Sequence, residues 1–242
     1  MQSIDGKVAF ITGGSKGIGY GIAEALVKAN VHVALTSRSA DNAQKAADQL
    51  AQLGGGKVLG LAADVRDHKS QQEAVQKAID QWGQVDLVVA NAGLGHFAPI
   101  EDMTPEQWHE TIDTNLTGVF YTIKSAVEAL KATQGYFITI SSLAGTNFFA
   151  QGAAYNASKF GLTGFTQAVM LDLRKYGIRT STIMPGSVAT HFANHQPDAE
   201  KDAWKIQIED LGQMVVDLMQ LNPRTLPSKI EVRPSVPPSA RG

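Results

Sequence analysis

Short, unbroken apolar runs, each set before a longer helical stretch, constrain this chain more than any other feature. The runs span 8–12, 32–37, 58–62, 87–90, 136–141, 180–184 and 229–232. They are rich in Val, Ile, Leu and Ala and do not alternate with polar residues, the pattern of strands covered on both faces. Between them lie helical stretches at 17–29, 40–53, 69–82 and 152–174, and Thr104-Pro105-Glu106-Gln107 has the form of a capping box with proline at the first helical position. Strands joined by helices in this way pack as a doubly wound α/β fold with right-handed crossovers. The expectation is a three-layer sandwich around a mainly parallel sheet of about seven strands.

The totals bound the rest. A chain of 242 residues, 43% hydrophobic, supports one sizeable core, so residues 1–242 are read as one domain. A formal net charge of -2 gives no reason to expect nucleic acid or an anionic membrane as partner. The lack of cysteine excludes disulfides, thiolate catalysis and zinc-thiolate sites. No basic segment followed by a long apolar run opens the sequence, and no stretch approaches membrane-span length. A soluble, cytoplasmic protein is therefore expected. The proline-rich tail, 234–242, is expected to be flexible.

Directly after the first run comes Thr12-Gly13-Gly14-Ser15-Lys16-Gly17-Ile18-Gly19. A glycine turn leading from a strand into a helix brings backbone N–H groups and the positive helix end against a pyrophosphate. At the end of the second run an NAD site would normally offer an acid to the ribose 2′-hydroxyl. Here Ser37 and Arg38 stand instead, and no acid follows until Asp41. Arg38 with Lys16 can take a 2′-phosphate by charge-assisted hydrogen bonds, so NADP(H) is expected over NAD(H).

A second constellation carries proton transfer. Ser142 follows the fifth run, and Tyr155-Asn156-Ala157-Ser158-Lys159 opens a helical stretch. Tyr155 and Lys159, four apart, share one helix face. A phenol beside a fixed ammonium is expected to have its pKa lowered from about 10, as suits a general acid.

With these motifs in order, the chain resembles the classical short-chain dehydrogenases/reductases, from Gly6 to about Thr190. The glycine loop matches the family's T-G-x-x-x-G-x-G, and the resemblance implies a Rossmann-type fold with a nicotinamide cofactor. Asp64-Val65 is similar to the segment that contacts the adenine, and Asn91-Ala92-Gly93 to the N-A-G beside the cofactor. Pro185, Gly186, Val188 and Thr190 are similar to the segment that holds the nicotinamide half. The resemblance makes Asn115, Ser142, Tyr155 and Lys159 the catalytic set, Ser142 being preferred to Ser141 on spacing. Tyr155 would exchange a proton with the substrate oxygen, and Lys159 would lower its pKa and bond the nicotinamide ribose. Ser142 would hold the substrate oxygen, and Asn115 would orient a water linking Lys159 to solvent. A homotetramer is implied, with the helices around 116–131 and 159–174 pairing across a two-fold. The ending, Leu226 to Pro234, lacks the glycine-rich segment common in relatives and is similar to a subset of bacterial ketoacyl-carrier-protein reductases and hydroxy-acid dehydrogenases.

Beyond Thr190 substrate choice is commonly set. Residues 190–212 are expected to form a lid, with a helix reaching Trp204 over the nicotinamide. Leu94-Gly95-His96-Phe97 and Asn147-Phe148-Phe149 would flank the same cleft, suggesting a moderately apolar carbonyl or alcohol substrate. His191 and His195 have i, i+4 spacing but no third ligand in sequence, so no metal is expected. His96 is read as a loop residue. Two other functions stay open. One is a reductase of carrier-bound β-ketoacyl groups, for which Lys124, Lys131, Lys175 and Arg179 would be docking cations. The other is a cofactor-binding redox sensor without turnover.

Overall fold

A computed structural model describes residues 2–237. Seven parallel strands form one sheet in the order β3-β2-β1-β4-β5-β6-β7. They are β1 (Val8–Ile11), β2 (His32–Ser37), β3 (Val58–Ala62), β4 (Leu87–Ala90), β5 (Tyr136–Ile140), β6 (Arg179–Pro185) and β7 (Lys229–Val232). The helices are α1 (Gly17–Lys28), α2 (Ala40–Ala51), α3 (His68–Trp82), α4 (Pro105–Ile112), α5 (Gly118–Thr133), α6 (Ala153–Leu173) and α7 (Ile208–Gln220). This is the Rossmann-type α/β sandwich expected from the pattern of runs.

The continuous apolar runs are explained by the two layers they must meet. Along β1, Ala9 and Ile11 face a core shared with Ile22 and Leu26 of α1, Leu50 of α2 and Leu211 and Val215 of α7. Val8 and Phe10 face the opposite core, with Val75 of α3, Ile123 and Leu130 of α5 and Leu162 of α6. Side chains alternate across a strand, so a strand buried on both sides must be apolar at every position.

The chain reverses its winding direction between β1 and β4, which lie side by side. The loops at the carboxyl ends of these two strands diverge there, and the crevice they leave is where ligands bind in open α/β sheets. The capping box at Thr104 forms as expected, its hydroxyl accepting from the Gln107 N–H. Beyond α4 the helical path widens into a π-turn, Asp113–Thr117, before α5 begins. The last strand completes the sheet edge beside β6.

The lid departs from expectation. Residues 191–204 contain only a short 3-10 turn, Phe192–Asn194, with Ala193 at φ 52. The helix comes later, as α7, and its apolar face buries Leu211, Val215 and Met219 against the core beside α1. It therefore packs on the sheet rather than over the cleft. Of the tail assigned to 234–242, residues 238–242 lie outside the described residues.

Candidate active site

The crevice at the switch point is a cleft of about 1310 Å³. It is wider than the ~300–1,000 Å³ that suffices for a drug-sized ligand, room for a dinucleotide and a second molecule. At one end lie Gly13, Ser15, Lys16, Gly17 and Ile18 of the glycine loop, with Ser37 and Arg38 after β2 and Asp64 and Val65 after β3. Asn91, Ala92 and Gly93 after β4 form the middle. At the other end stand Ser142, Tyr155 and Lys159, with Pro185, Gly186, Val188 and Thr190 after β6. Of the catalytic and cofactor residues assigned in the sequence, Gly19 and Asn115 do not line the cleft; of the expected flanks, Leu94, Gly95 and His96 line it, and Phe97, Asn147, Phe148 and Phe149 do not.

The glycine loop is shaped to be approached closely. A Cβ on Gly13, whose φ is +64, would come 2.9 Å from the Ala92 Cα, and one on Gly19 would come 2.4 Å from the Asn91 Nδ2. The loop is pinned to β4 by side chains. Thr12 Oγ1 accepts from the backbone N–H of Asn91 at 3.1 Å and of Ala92 at 3.2 Å, and the Asn91 amide donates to the carbonyls of Thr12 and Gly13 at 3.0 Å each. Asn91 thus shapes the cradle, and Thr12, the first residue of the matched motif but given no role in the sequence, is its partner. A backbone this bare at a helix start fits a pyrophosphate.

At the adenosine end the charges form a network that sequence reasoning missed. Glu110 of α4 lies 3.8 Å from Arg38, 3.6 Å from Arg66 and 2.9 Å from His96 Nε2. Arg66 in turn grips Asp64 at 2.7 Å, holding that carboxyl below its ordinary range. Arg38 keeps 63% of its side chain exposed. Lys16 and Lys45 line the same cleft, so three cations are available around the end of β2. No spacing in the sequence signals Glu110, because its partners come from three separate loops.

The proton-transfer end is built on α6 and the ends of β5 and β6. Lys159 is only 4% exposed and donates to the Ile140 carbonyl at 3.0 Å. Burial pushes its pKa down to about 8. Tyr155 behaves differently from the expectation that a neighbouring ammonium lowers its pKa. Burial raises it, and a hydrogen bond with Ser142 offsets only part of that rise. The Lys159 Nζ lies 5.7 Å from the phenol ring centre. The phenol therefore keeps its proton at neutral pH. Ser142 Oγ accepts from the Ala144 N–H at 3.1 Å. Ser141, by contrast, is buried against Thr163 at 3.1 Å and serves packing.

Asn115 is fully buried in the π-turn, a geometry that recurs at functional sites. Its amide donates to the Leu94 carbonyl at 2.8 Å and to Ser158 Oγ at 3.0 Å, and its Oδ1 accepts from the Leu94 N–H at 2.9 Å. Both side-chain donors are thus spent, one on the Leu94 loop and one on Ser158 of α6, and only oxygen lone pairs remain for a water.

The lid is tied by Asp202, which accepts from His195 at 2.5 Å and Lys205 at 2.7 Å. This pins its carboxyl far below the usual carboxylate range. His195 is thereby turned to a carboxylate, and the i, i+4 spacing with His191 spans a 3-10 turn, not a helix face. Three of the four docking cations also fall elsewhere. Lys131 and Lys175 flank Tyr176, and Arg179 stacks over Tyr136 at the start of β6, all at the amino-terminal edge of the sheet, opposite the cleft.

A parallel sheet with a glycine cradle at its switch point and a tyrosine-lysine pair beyond it defines a nucleotide-binding oxidoreductase scaffold. The model of the short chain dehydrogenase family matches residues 7–201, and the chain belongs to that family. It is 35% identical over 209 residues to the 3-oxoacyl-[acyl-carrier-protein] reductase of Vibrio cholerae, covering 86% of this chain and 84% of that protein. It is 34% identical over 215 residues to the glycine betaine reductase of Emericella nidulans, covering 88% of this chain and 17% of that much longer protein. Among solved structures, an alcohol dehydrogenase from the archaeon Thermococcus sibiricus, complexed with 5-hydroxy-NADP, superposes with a TM-score of 0.90 at 32% identity, covering 96% of this chain and 97% of that one. No helix among the described residues is long and apolar enough to cross a membrane.

Proposed function

We propose that the protein is an NADP(H)-dependent oxidoreductase that interconverts a ketone or aldehyde and the corresponding alcohol. The observation that carries this reading is the convergence of Ser142, Tyr155 and Lys159 on the cleft that the glycine loop opens. The glycine loop would hold the pyrophosphate of the cofactor, and Lys16, Arg38 and Lys45 its 2′-phosphate; bound there, it would supply or accept the hydride.

The chain's own groups handle the proton and the orientation. Ser142 Oγ donates to the carbonyl oxygen and stabilises the charge that develops there. Tyr155 holds its proton because it is buried, and releases it to that oxygen as the alcohol forms. In the reverse direction the same phenol oxygen accepts it. Lys159 commits one of its three donors to Ile140, leaving two for the nicotinamide ribose hydroxyls and for a relay toward solvent. Asn115 holds the Leu94 loop in register with Ser158, and with it the wall of the cleft.

The preference for NADP(H) is supported by three cations and the absence of an acid beside Arg38 in the turn after β2. The similarity to an alcohol dehydrogenase complexed with 5-hydroxy-NADP supports it from outside. The homotetramer is supported by Phe120 on α5 and by Phe160 and Leu171 on α6, large apolar side chains left exposed on the two helices named for pairing. Light scattering that found only monomer would refute that part.

The decisive experiment is initial-rate oxidation of NADPH, with NADH in parallel, across ketones, aldehydes, ketoacids and β-ketoacyl thioesters. Turnover with NADPH on free carbonyls supports the reading. Turnover confined to carrier-bound thioesters replaces it with the acyl-carrier reductase, and tight NADPH binding without any turnover replaces it with a sensor.

A further inference from the structure

At one end of the cleft, Tyr155 and Phe192 of its lining pack into a cluster of aromatic rings whose other members, Phe97 and Phe149, lie beside it. Phe97 lies 5.5 Å from the Tyr155 ring, edge-on at 62°, and Phe192 lies 5.5 Å from it, tilted at 52°. Phe97 also meets Phe192 at 6.3 Å and Phe149 at 6.0 Å. These separations fall within the ~4.5–7 Å at which edge-to-face and tilted pairs attract. The three phenylalanines come from three different segments: the loop after β4, the loop before α6, and the lid. Gly95 is the floor on which two of them rest, since a Cβ there would come 2.8 Å from the tip of Phe97 and 2.9 Å from the tip of Phe192.

The apolar surface continues outward. Phe148 is 87% exposed and Ile100 72%, on loops joined by the hydrogen bond from the Ala98 N–H to the Gln151 carbonyl at 3.0 Å. Exposed aromatic and aliphatic side chains contiguous with a cleft mark a surface that receives an apolar molecule. Charge is correspondingly engaged at this end. His96 is paired with Glu110, and Lys205 and His195 with Asp202. Lys16, Arg38 and Lys45 belong to the far, adenosine end. No lysine or arginine among the described residues therefore stands beside Tyr155 for a substrate carboxylate, apart from the buried Lys159.

Resting on the oxidoreductase reading, we infer that the substrate is an aryl ketone or the matching benzylic alcohol, whose ring enters the Phe97–Phe149–Phe192 cluster while its carbonyl oxygen meets Tyr155 and Ser142. Phe97, Phe149 and Phe192 each keep more than a third of their surface exposed, so a ring laid against them meets aromatic surface that a saturated group of the same size cannot exploit. A ketoacid would bring a carboxylate into an apolar site that offers it no unpaired cation, at a large desolvation penalty.

The test compares acetophenone with cyclohexyl methyl ketone, near-isosteres that differ in the π face, and with acetoacetate. NADPH oxidation is followed in wild type and in Phe97→Leu, which keeps the apolar bulk. The expected result is turnover of acetophenone with kcat/KM well above that for acetoacetate. The acetophenone to cyclohexyl methyl ketone ratio should fall about three- to tenfold in Phe97→Leu. Comparing the two ratios cancels the intrinsic reactivity of each ketone. Equilibrium binding of acetophenone to the NADP⁺-loaded protein, read by calorimetry, should weaken by a similar factor. An unchanged ratio, or a preference for acetoacetate, overturns the inference while leaving the oxidoreductase reading intact. No oxidation of NADPH with any carbonyl would instead overturn the reading on which it rests.

Discussion

Lys159 should make the folded protein less stable than it would be without it. Its ammonium is buried, and its pKa falls from an ordinary 10.5 to about 8. The folded state thus binds the proton less tightly than the unfolded chain. At ~1.36 kcal/mol for each pH unit, that costs about 3 kcal/mol wherever both states are charged, which includes pH 7. Between pH 8 and 10.5 the unfolded chain still holds the proton while the folded protein has lost it, so stability rises with pH through that window and the cost disappears above it. Replacing Lys159 with Met keeps the stem and removes the charge. The Ile140 carbonyl then loses its donor, at about 1 kcal/mol. The net expectation at pH 7 is a gain of about 2 kcal/mol, or roughly 4–8 °C in Tm for a chain of this size. Thermal unfolding of the cofactor-free protein, followed by circular dichroism from pH 7 to 10.5, measures it. The advantage of Lys159→Met should shrink as pH rises and reverse near the top of the range. A variant no more stable than wild type at pH 7, or a difference indifferent to pH, would refute the reasoning.

The cofactor end makes two further predictions. Arg38→Asp should reverse the preference from NADPH to NADH, checked by the ratio of their dissociation constants from fluorescence titration. Glu110→Gln should tighten NADPH binding by a few-fold and leave NADH nearly unchanged, because Glu110 lies 3.8 Å from Arg38 and competes with a phosphate for it. An equal effect on both cofactors would rule that competition out. At the glycine loop, Thr12→Val removes the acceptor for two backbone N–H groups and should weaken both cofactors alike; calorimetric binding at wild-type strength would contradict it.

The strands were legible because a parallel sheet buried on both faces demands apolar residues throughout. All seven runs became strands, displaced by no more than a residue at either end. The glycine loop and the Tyr155–Lys159 pair were legible because their chemistry depends on local spacing, carried by one turn and one helix. What escaped was set by tertiary contacts. The Glu110 network joins α4 to residues from the loops after β2, β3 and β4, which share no sequence neighbourhood. The direction of the Tyr155 pKa escaped for a related reason: helix spacing shows that a lysine is close, but not how deeply the phenol is buried. The lid helix was misplaced because 191–204 offers aromatic residues without a sustained apolar face, whereas 208–220 presents Leu211, Val215, Leu218 and Met219 in helical register. Asp202, three residues before Lys205, was a readable charge pair whose partner His195 only the folded lid reveals.

The most direct test of the central claim is single-turnover and steady-state oxidation of NADPH by wild type and Tyr155→Phe on the best carbonyl substrate, alongside NADPH titration of both. The account predicts a loss of about 10²–10⁴-fold in kcat with nearly unchanged NADPH affinity, since the phenylalanine keeps the ring among Phe97 and Phe192 and removes only the hydroxyl that carries the proton. A variant that turns over at close to the wild-type rate would contradict the assignment of Tyr155 as the proton donor, and with it the mechanism.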